Sequence, residues 1–549
     1  MVNLSIYQIL FMKKYLFYGI LVLFLSNCSS VQKHNALLET DLSVNEQIED
    51  VNYLERKIEK IQPNLNVFIS KEELKSKFDS VRNTINTPLK PNDFYFKVSP
   101  LLAAIRQGHA SMNPLIAKYS TQESKEMKKK GLGPVSQFDY KYIENKLFIV
   151  NNKSKDSTIL AGTEVVSIEN ITPQDLFSKY RKTYSSDGFN ETFIPYAFTM
   201  RFGNYLYYEL GLRDSLNFKL KCYDSVSTKL IKRFPDKKTD VKEIKKDSIA
   251  PAKPKENAVK KLTKEEKKLA KKKKKEEDEY NYNYGYDKTK KEFTKTLIFT
   301  DIDSSTAVLK IKNFSKGGYK TAYKEVFELL RKTDTKNLVL DLRGNPGGRL
   351  SEIHELYSYL TVDSTFQLIE EAKVTSKTSL LQADYLISMP KILYVLAIPT
   401  YPVYASVLML KTRKDENGDY RFAMKSSKEK PHKANYFKGK IYLLINGGSF
   451  SAACIISSKL KENPEITFVG EETGGAFNGT VAGRTSTYEL PNSRLRTRLW
   501  IMDIAATNKT EEKGRGIFPD KERVPSVDEL LSGADPELEW IKKDIESKK

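Results

Sequence analysis

The segment Ile441–Gly475, IYLLINGGSFSAACIISSKLKENPEITFVGEETGG, constrains the fold more than any other stretch of the chain. An apolar run meets Asn446-Gly447-Gly448. Ser449-Phe450-Ser451-Ala452-Ala453 then opens a helix-like stretch, and a second apolar run closes on Gly474-Gly475. A strand that breaks at paired glycines and re-enters a helix lifts a serine to the rim of a sheet. There its hydroxyl is exposed and the next backbone N–H points outward, the geometry that nucleophilic serine enzymes need. An ordinary strand–turn–helix joint with serine as the N-cap fits the same residues. The segment alone leaves both readings open.

From about Thr294 to the end, strand and helix patterns alternate. AVLKI, NLVLDLRG, KIYLLIN and EITFVG are short apolar strands, with helices such as YKEVFELLRK between some of them. That alternation predicts a layered α/β domain with buried, largely parallel strands. A second special turn lies in the same region, where NLVLDLRGNPGGRL runs a strand into Asn345-Pro346-Gly347-Gly348. Paired glycines let backbone N–H groups face outward with no Cβ in the way, and such a loop can form half of an oxyanion hole. A plain βα turn is the alternative. Asp341 and Arg343 at the strand's end suggest a buried ion pair that fixes the loop.

The chain of 549 residues is too long for one core. Met12-Lys13-Lys14 followed by the apolar Tyr15–Leu25 reads as a secretory signal, too short to span a bilayer. Residues 29–130 read as a polar tether and then a helical domain, with Ser70 and Glu73 as a capping box. Residues 131–235 turn toward strands. Residues 236–293 are a Lys/Glu-rich, low-complexity insert ending in YNYNYGYD, expected to be a solvated linker with some helix. Residues 294–549 form the α/β domain. The net charge of +21 comes with no zinc-finger spacing or aromatic–basic interleaving, so no nucleic-acid partner is expected. Cys222 and Cys454 both read as buried core residues, and the cysteines make no metal spacing.

Three resemblances add to this reading. Leu25-Ser26-Asn27-Cys28 resembles a bacterial lipobox, which implies that Cys28 is lipidated. The mature protein would then sit in the cell envelope on a lipid anchor, expected at the periplasmic face of the outer membrane. AGTEVVSIENITPQDL resembles part of a PDZ domain, in which Gly131-Leu132-Gly133 would hold a peptide's terminal carboxylate. DLRGNPGG, then NGGSFSAA, then VGEETGG resemble the C-terminal processing peptidases, or tail-specific proteases. RQGHASM and GRGIFPD match two further elements of that family, in the same order. The family implies a crotonase/Clp-like α/β catalytic domain, with a helical N-terminal region and a PDZ-like module.

The resemblance also assigns roles. Ser451, immediately followed by Ala452, stands at the nucleophile position, and Ser449 would then be a turn or cap residue. Many family members use a lysine base, but that position reads Ala476 here. A branch resembling the tricorn core peptidase uses a histidine and a glutamate instead. His109 stands at the histidine position, with His354 as the other candidate. Glu511 or Glu512 would steady the imidazole. Gly347 or Gly348 and Ala452 would supply the oxyanion hole. His109 and Ser451 come from separate regions, so closure between them is an expected gate. The implied function is an exported, lipid-anchored serine endopeptidase acting on protein or peptide substrates, with no metal or cofactor. The rival is a non-catalytic peptide-binding lipoprotein that retains the fold.

Overall fold

The computed structural model describes residues 31–234, 264–385 and 394–548. The signal segment, Cys28 and the first part of the basic insert lie outside the described residues. Among the described residues no helix is long and apolar enough to cross a membrane.

Three helices, Val44–Ile61, Lys71–Asn83 and Pro91–Ala104, build the N-terminal region. Their apolar stripes turn inward, with Val51, Leu54 and Ile58 of the first and Phe78 and Phe94 of the next two fully buried. Ser70 caps the second helix by accepting the Glu73 N–H. The tether is partly docked: Val31–Leu37 is a short helix, and its Asn35 exchanges two hydrogen bonds with the Lys118 backbone.

Residues 138–232 contain a five-stranded antiparallel meander, Phe138–Ile143, Lys146–Asn152, Glu164–Ile168, Ser215–Cys222 and Ser225–Lys232. Two helices, Pro173–Tyr180 and Phe193–Leu210, enter between its third and fourth strands. Phe198 and Phe202 of the longer helix pack on Tyr142, Phe177 and Tyr140. Cys222 is only half-buried, because it ends a strand at the Tyr223-Asp224 turn rather than facing the core.

Within the insert, Lys264–Asn283 is a solvated helix. Its YNYNYGYD end is ordered, contrary to a linker reading. Tyr280 stacks on Tyr284 with ring centroids 4.5 Å apart, the Tyr284 hydroxyl donates to Glu325, and Tyr286–Asp287 pairs with Glu292–Phe293. Tyrosine rings supply the apolar area that the preceding lysines lack.

The expected parallel sheet is present. Its strands run in the order Lys521–Glu522, Thr467–Gly470, Lys440–Ile445, Asn337–Asp341, Thr306–Ile311, Lys295–Phe299, all parallel but for the last. A second six-stranded sheet centres on Arg496–Ala505. One of its strands, Ser111–Asn113, comes from the N-terminal region and pairs antiparallel with Arg496, Thr497 and Arg498. The same region is pinned a second time. Asp50, fully buried, accepts the Asn492 and Ser493 N–H groups of the neighbouring hairpin turn at 2.9 and 2.8 Å. One continuous core joins all these parts.

Arg343 is the electrostatic hub of the parallel sheet's rim. It is bidentate to Asp535, both bonds at 2.8 Å, chelates Asp341, and lies 3.2 Å from Glu537. Burial pushes the Asp341 carboxyl up, but the hydrogen bonds and charge of Arg343 outweigh it and hold the group below its ordinary range. A depressed carboxyl contributes stability that is present above its unfolded value and is lost as the pH falls through the folded one. Arg343→Met strands Glu537 in the interior without its cation and leaves Asp341 only the partly exposed Lys310 at 3.2 Å. We expect a loss of about 3–5 kcal/mol at neutral pH, measured by chemical denaturation, and a smaller loss at pH 3 where Asp341 is protonated more easily in the variant.

Candidate active site

The adjacent parallel strands Asn337–Asp341 and Lys440–Ile445 release their two glycine turns side by side. The turns are then tied together. Ser449 Oγ donates to the Leu342 carbonyl at 2.8 Å and accepts the Asn446 N–H at 3.1 Å. The Phe450 N–H donates to the Asn345 carbonyl at 2.9 Å. Asn446 Oδ1 accepts the Gly344 and Gly448 N–H groups at 2.8 and 3.0 Å. Gly347, at φ 93°, passes so close to the serine turn that a Cβ there would lie 2.7 Å from Ala452 N and 2.8 Å from Ser451 Cβ. No other residue fits.

Ser449 is therefore a buried clamp, and Ser451 is the serine at the surface of the joint. Ser451 has φ 56° and ψ −121°, a backbone conformation that a non-glycine residue holds only under constraint. It is half-buried on the wall of a cavity of about 710 Å³, shared with His109, Gly347, Gly348, Arg484 and Trp500. The helix Ala452–Leu460 starts directly after it. Among the described residues the N–H groups of Gly348 and Ala452 have no acceptor, whereas the Gly347 N–H is taken by Asn345 Oδ1 at 2.9 Å. Of the two glycines expected to supply an oxyanion donor, Gly348 is thus the one with a free N–H.

His109 reaches this cavity because the strand Ser111–Asn113 is added to the second sheet just after it. Its ring sits between Phe450, edge-on at 5.1 Å, and Trp500, tilted at 5.0 Å. A Cβ on the preceding Gly108 would meet the Phe450 ring at 2.6 Å, so the approach again needs glycine. His109 Nε2 is shielded from solvent and has no hydrogen-bond partner. Burial pushes the imidazole pKa down to about 4, so the ring is neutral at pH 7 and able to accept a proton. No hydrogen bond joins it to Ser451. Catalytic contacts of this kind tighten when substrate fills the site.

The other expected residues are placed as follows. His354 is buried in the helix Leu350–Tyr357, with Nδ1 2.7 Å from the Leu350 carbonyl of its own helix, and is not among the residues lining the cavity. Glu511 and Glu512 are exposed on a loop, and Glu512 lies 4.0 Å from Arg515. Neither is bonded to His109. The carboxylate that touches the His109 turn is Asp187, which accepts the Gly108 N–H at 2.8 Å. Ala476 is buried. GRGIFPD is laced to VGEETGG rather than to the cavity: Glu472 takes Arg515 in two bonds at 3.0 and 2.7 Å and the Gly516 N–H at 2.7 Å. Among the described residues no group of His, Cys, Asp and Glu could hold a metal ion. Sequence reasoning missed Asn345, Asn446, Trp500 and Asp187. The two asparagines had a signal, since Asn beside glycine commonly accepts the N–H groups of its own turn; Trp500 and Asp187 had none.

Residues 305–523 match the model of Peptidase family S41. A comparison with curated proteins found no match. Among solved structures, mature CPAF complexed with lactacystin superposes with a TM-score of 0.56 at 14% identity, covering 91% of this chain and 97% of that one. Mature CPAF alone gives 0.53 at 15% identity, covering 89% and 94%. At these identities the likeness is one of fold.

Two outcomes follow for the site. Ser451→Gly relieves the backbone strain and should gain about 1 kcal/mol in thermal or chemical denaturation, whereas Ser451→Ala keeps the strain and should not. The low pKa of His109 also sets a pH window. The unfolded chain binds the His109 proton below about 6.5 and the native site only near 4, so native stability falls as the pH drops between those values. Reaction of Ser451 with a fluorophosphonate should keep its neutral-pH rate below pH 6 and fall only toward pH 4.

Proposed function

We propose that this chain is a serine endopeptidase that cleaves protein or peptide substrates, with Ser451 as nucleophile and His109 as base. The observation that carries the reading is the strained Ser451 turn facing the same cavity as the unpartnered His109 Nε2. Ser451 Oγ bonds to the scissile carbonyl carbon while its proton passes to His109. The carbonyl electron pair moves to oxygen and is held by the Gly348 and Ala452 N–H groups. The imidazolium then protonates the leaving amine as the C–N bond breaks, and a water repeats the sequence in reverse to free the acid. Glu511 or Glu512 would reach the imidazole only by a rearrangement of their loop, consistent with a site completed by substrate. The five-stranded module, read as PDZ-like, would capture the substrate's C-terminus. Export and lipidation at Cys28 place the enzyme in the cell envelope.

One observation favours a second reading. Ala476 stands at the lysine position, so the chain would bind peptides without cutting them.

Labelling with a fluorophosphonate separates the two. Wild type should label, Ser451→Ala should lose the label entirely, and His109→Ala should slow it by about 100-fold or more. Persistent labelling of Ser451→Ala removes the nucleophile assignment. An unlabelled wild type that still binds the tail of a denatured protein supports the second reading. Incorporation of a palmitate analogue into wild type but not Cys28→Ser tests the anchor.

A further inference from the structure

Beside the Ser451 cavity lies a smaller one of about 260 Å³, and Thr480 forms part of both walls. It runs behind the His109 turn: Gln107 lines the small cavity, and His109 the large one. Its walls are mostly apolar or uncharged, from Val67, Phe68, Ala476 and Val481, but two carboxylates, Asp187 and Asp503, are set into them. Burial pushes the pKa of each up to about 6.

The two acids are provided for differently. Asp503 receives a hydrogen bond from Asn64 and lies in the field of Lys509, Lys373 and Arg421. Lys509 also lines the cavity, but it pairs with Glu370 at 3.2 Å. Asp187 forms no ion pair among the described residues, and the nearby charge of Asp503 raises its pKa further. Its Oδ1 accepts the Gly108 N–H, and its Oδ2, buried, has no partner. Thr480 Oγ1 is likewise buried without a partner. Asp187 is 2% exposed and Thr480 6%. Thr480 Oγ1 and the Ala476 N–H lie close enough to Asp187 to favour its charged form, though neither completes a hydrogen bond, so a buried carboxylate is left at this wall without an ion-pair partner.

We propose that this cavity is a recognition pocket for the ammonium or guanidinium end of a substrate's basic side chain, held by Asp187 Oδ2 and Thr480 Oγ1. The inference rests on the peptidase reading for what the pocket serves. The volume suits one long side chain, the apolar walls suit its methylene stem, and the cation would pair the carboxylate that lacks one. Lys513, also on the wall, favours an elongated cation that passes the mouth and places its charge deep inside.

Binding can be measured without catalysis, on Ser451→Ala protein, by isothermal titration with Nα-acetyl-lysine amide, Nα-acetyl-norleucine amide and norleucine amide. The first carries only a side-chain cation, the second none, and the third only an α-ammonium. We expect Nα-acetyl-lysine amide to bind at least ten-fold more tightly than either of the others. Adding Asp187→Asn, which keeps an oxygen for Gly108, should abolish that preference with an unchanged circular dichroism spectrum. Adding Thr480→Val should weaken it several-fold. Absence of saturable binding by Nα-acetyl-lysine amide, equal binding of the two acetylated amides, or a preference that survives Asp187→Asn overturns the proposal. Tighter binding of norleucine amide also overturns it, in favour of a site for a chain terminus. Because the protein used lacks Ser451, none of these outcomes depends on whether wild type reacts with a fluorophosphonate.

Discussion

The close packing of two glycine turns, backbone against backbone, is the constraint on which the site depends. Asp341 and Leu444 are register partners on adjacent parallel strands, so the turns that follow must leave the sheet together. They stay together only because Gly347 has no side chain to hold them apart. The joint then bears the strain at Ser451. An outlying backbone conformation costs about 1–3 kcal/mol. The bonds from Ser449 to Leu342, Phe450 to Asn345, and Gly344 and Gly448 to Asn446 contribute roughly 1 kcal/mol each. Their sum exceeds the strain, which is why a serine can be held in a conformation it would not adopt alone.

Much of this was legible in the sequence where the signal is local. The apolar runs AVLKI, NLVLDL, KIYLLI and ITFVG could be read as buried parallel strands, and their breaks at paired glycines as turns. Ser449 was expected as a turn or cap residue, and its hydroxyl does bond within the turn. What escaped the reading depends on partners far apart in the chain. Nothing in SMN marks it as a strand, because its three residues acquire that form only by pairing with Arg496–Arg498. The YNYNYGYD tract reads as low complexity by composition, and its order comes from ring packing that composition does not reveal. The stretch 177–214 lies in a region that the sequence marks only as turning toward strands. It holds a packed aromatic helix and the loop carrying Asp187.

The imidazole illustrates how the surroundings decide a group's chemistry. Phe450 and Trp500 exclude water from His109, and desolvation disfavours its charged form. A neutral imidazole is ready to accept a proton, but an imidazolium would be correspondingly costly in that setting. The proposed reaction would therefore need a negative charge to arrive or develop nearby. In the proposed reaction the oxyanion beside Ser451 would be one such charge, and a carboxylate from the Glu511–Glu512 loop would be another. Those glutamates are exposed, but the loop around them is anchored by Thr510 to Asn478 and by Lys509 to Glu370.

A simple hinge between the N-terminal region and the α/β domain does not fit the way His109 is delivered. Its turn is fixed on one side by strand pairing at Ser111–Asn113 and on the other by the Gly108 bond to Asp187, while Asp50 grips the adjacent hairpin. Opening such a hinge would break several buried hydrogen bonds at once and divide a continuous core. Movement is cheaper in exposed loops at the cavity rim, where few buried contacts are lost. His109 and Ser451, 342 residues apart in sequence, thus come to line one cavity only when the whole chain has folded. Completeness of the fold, rather than closure of one region on another, is what couples Ser451 to His109.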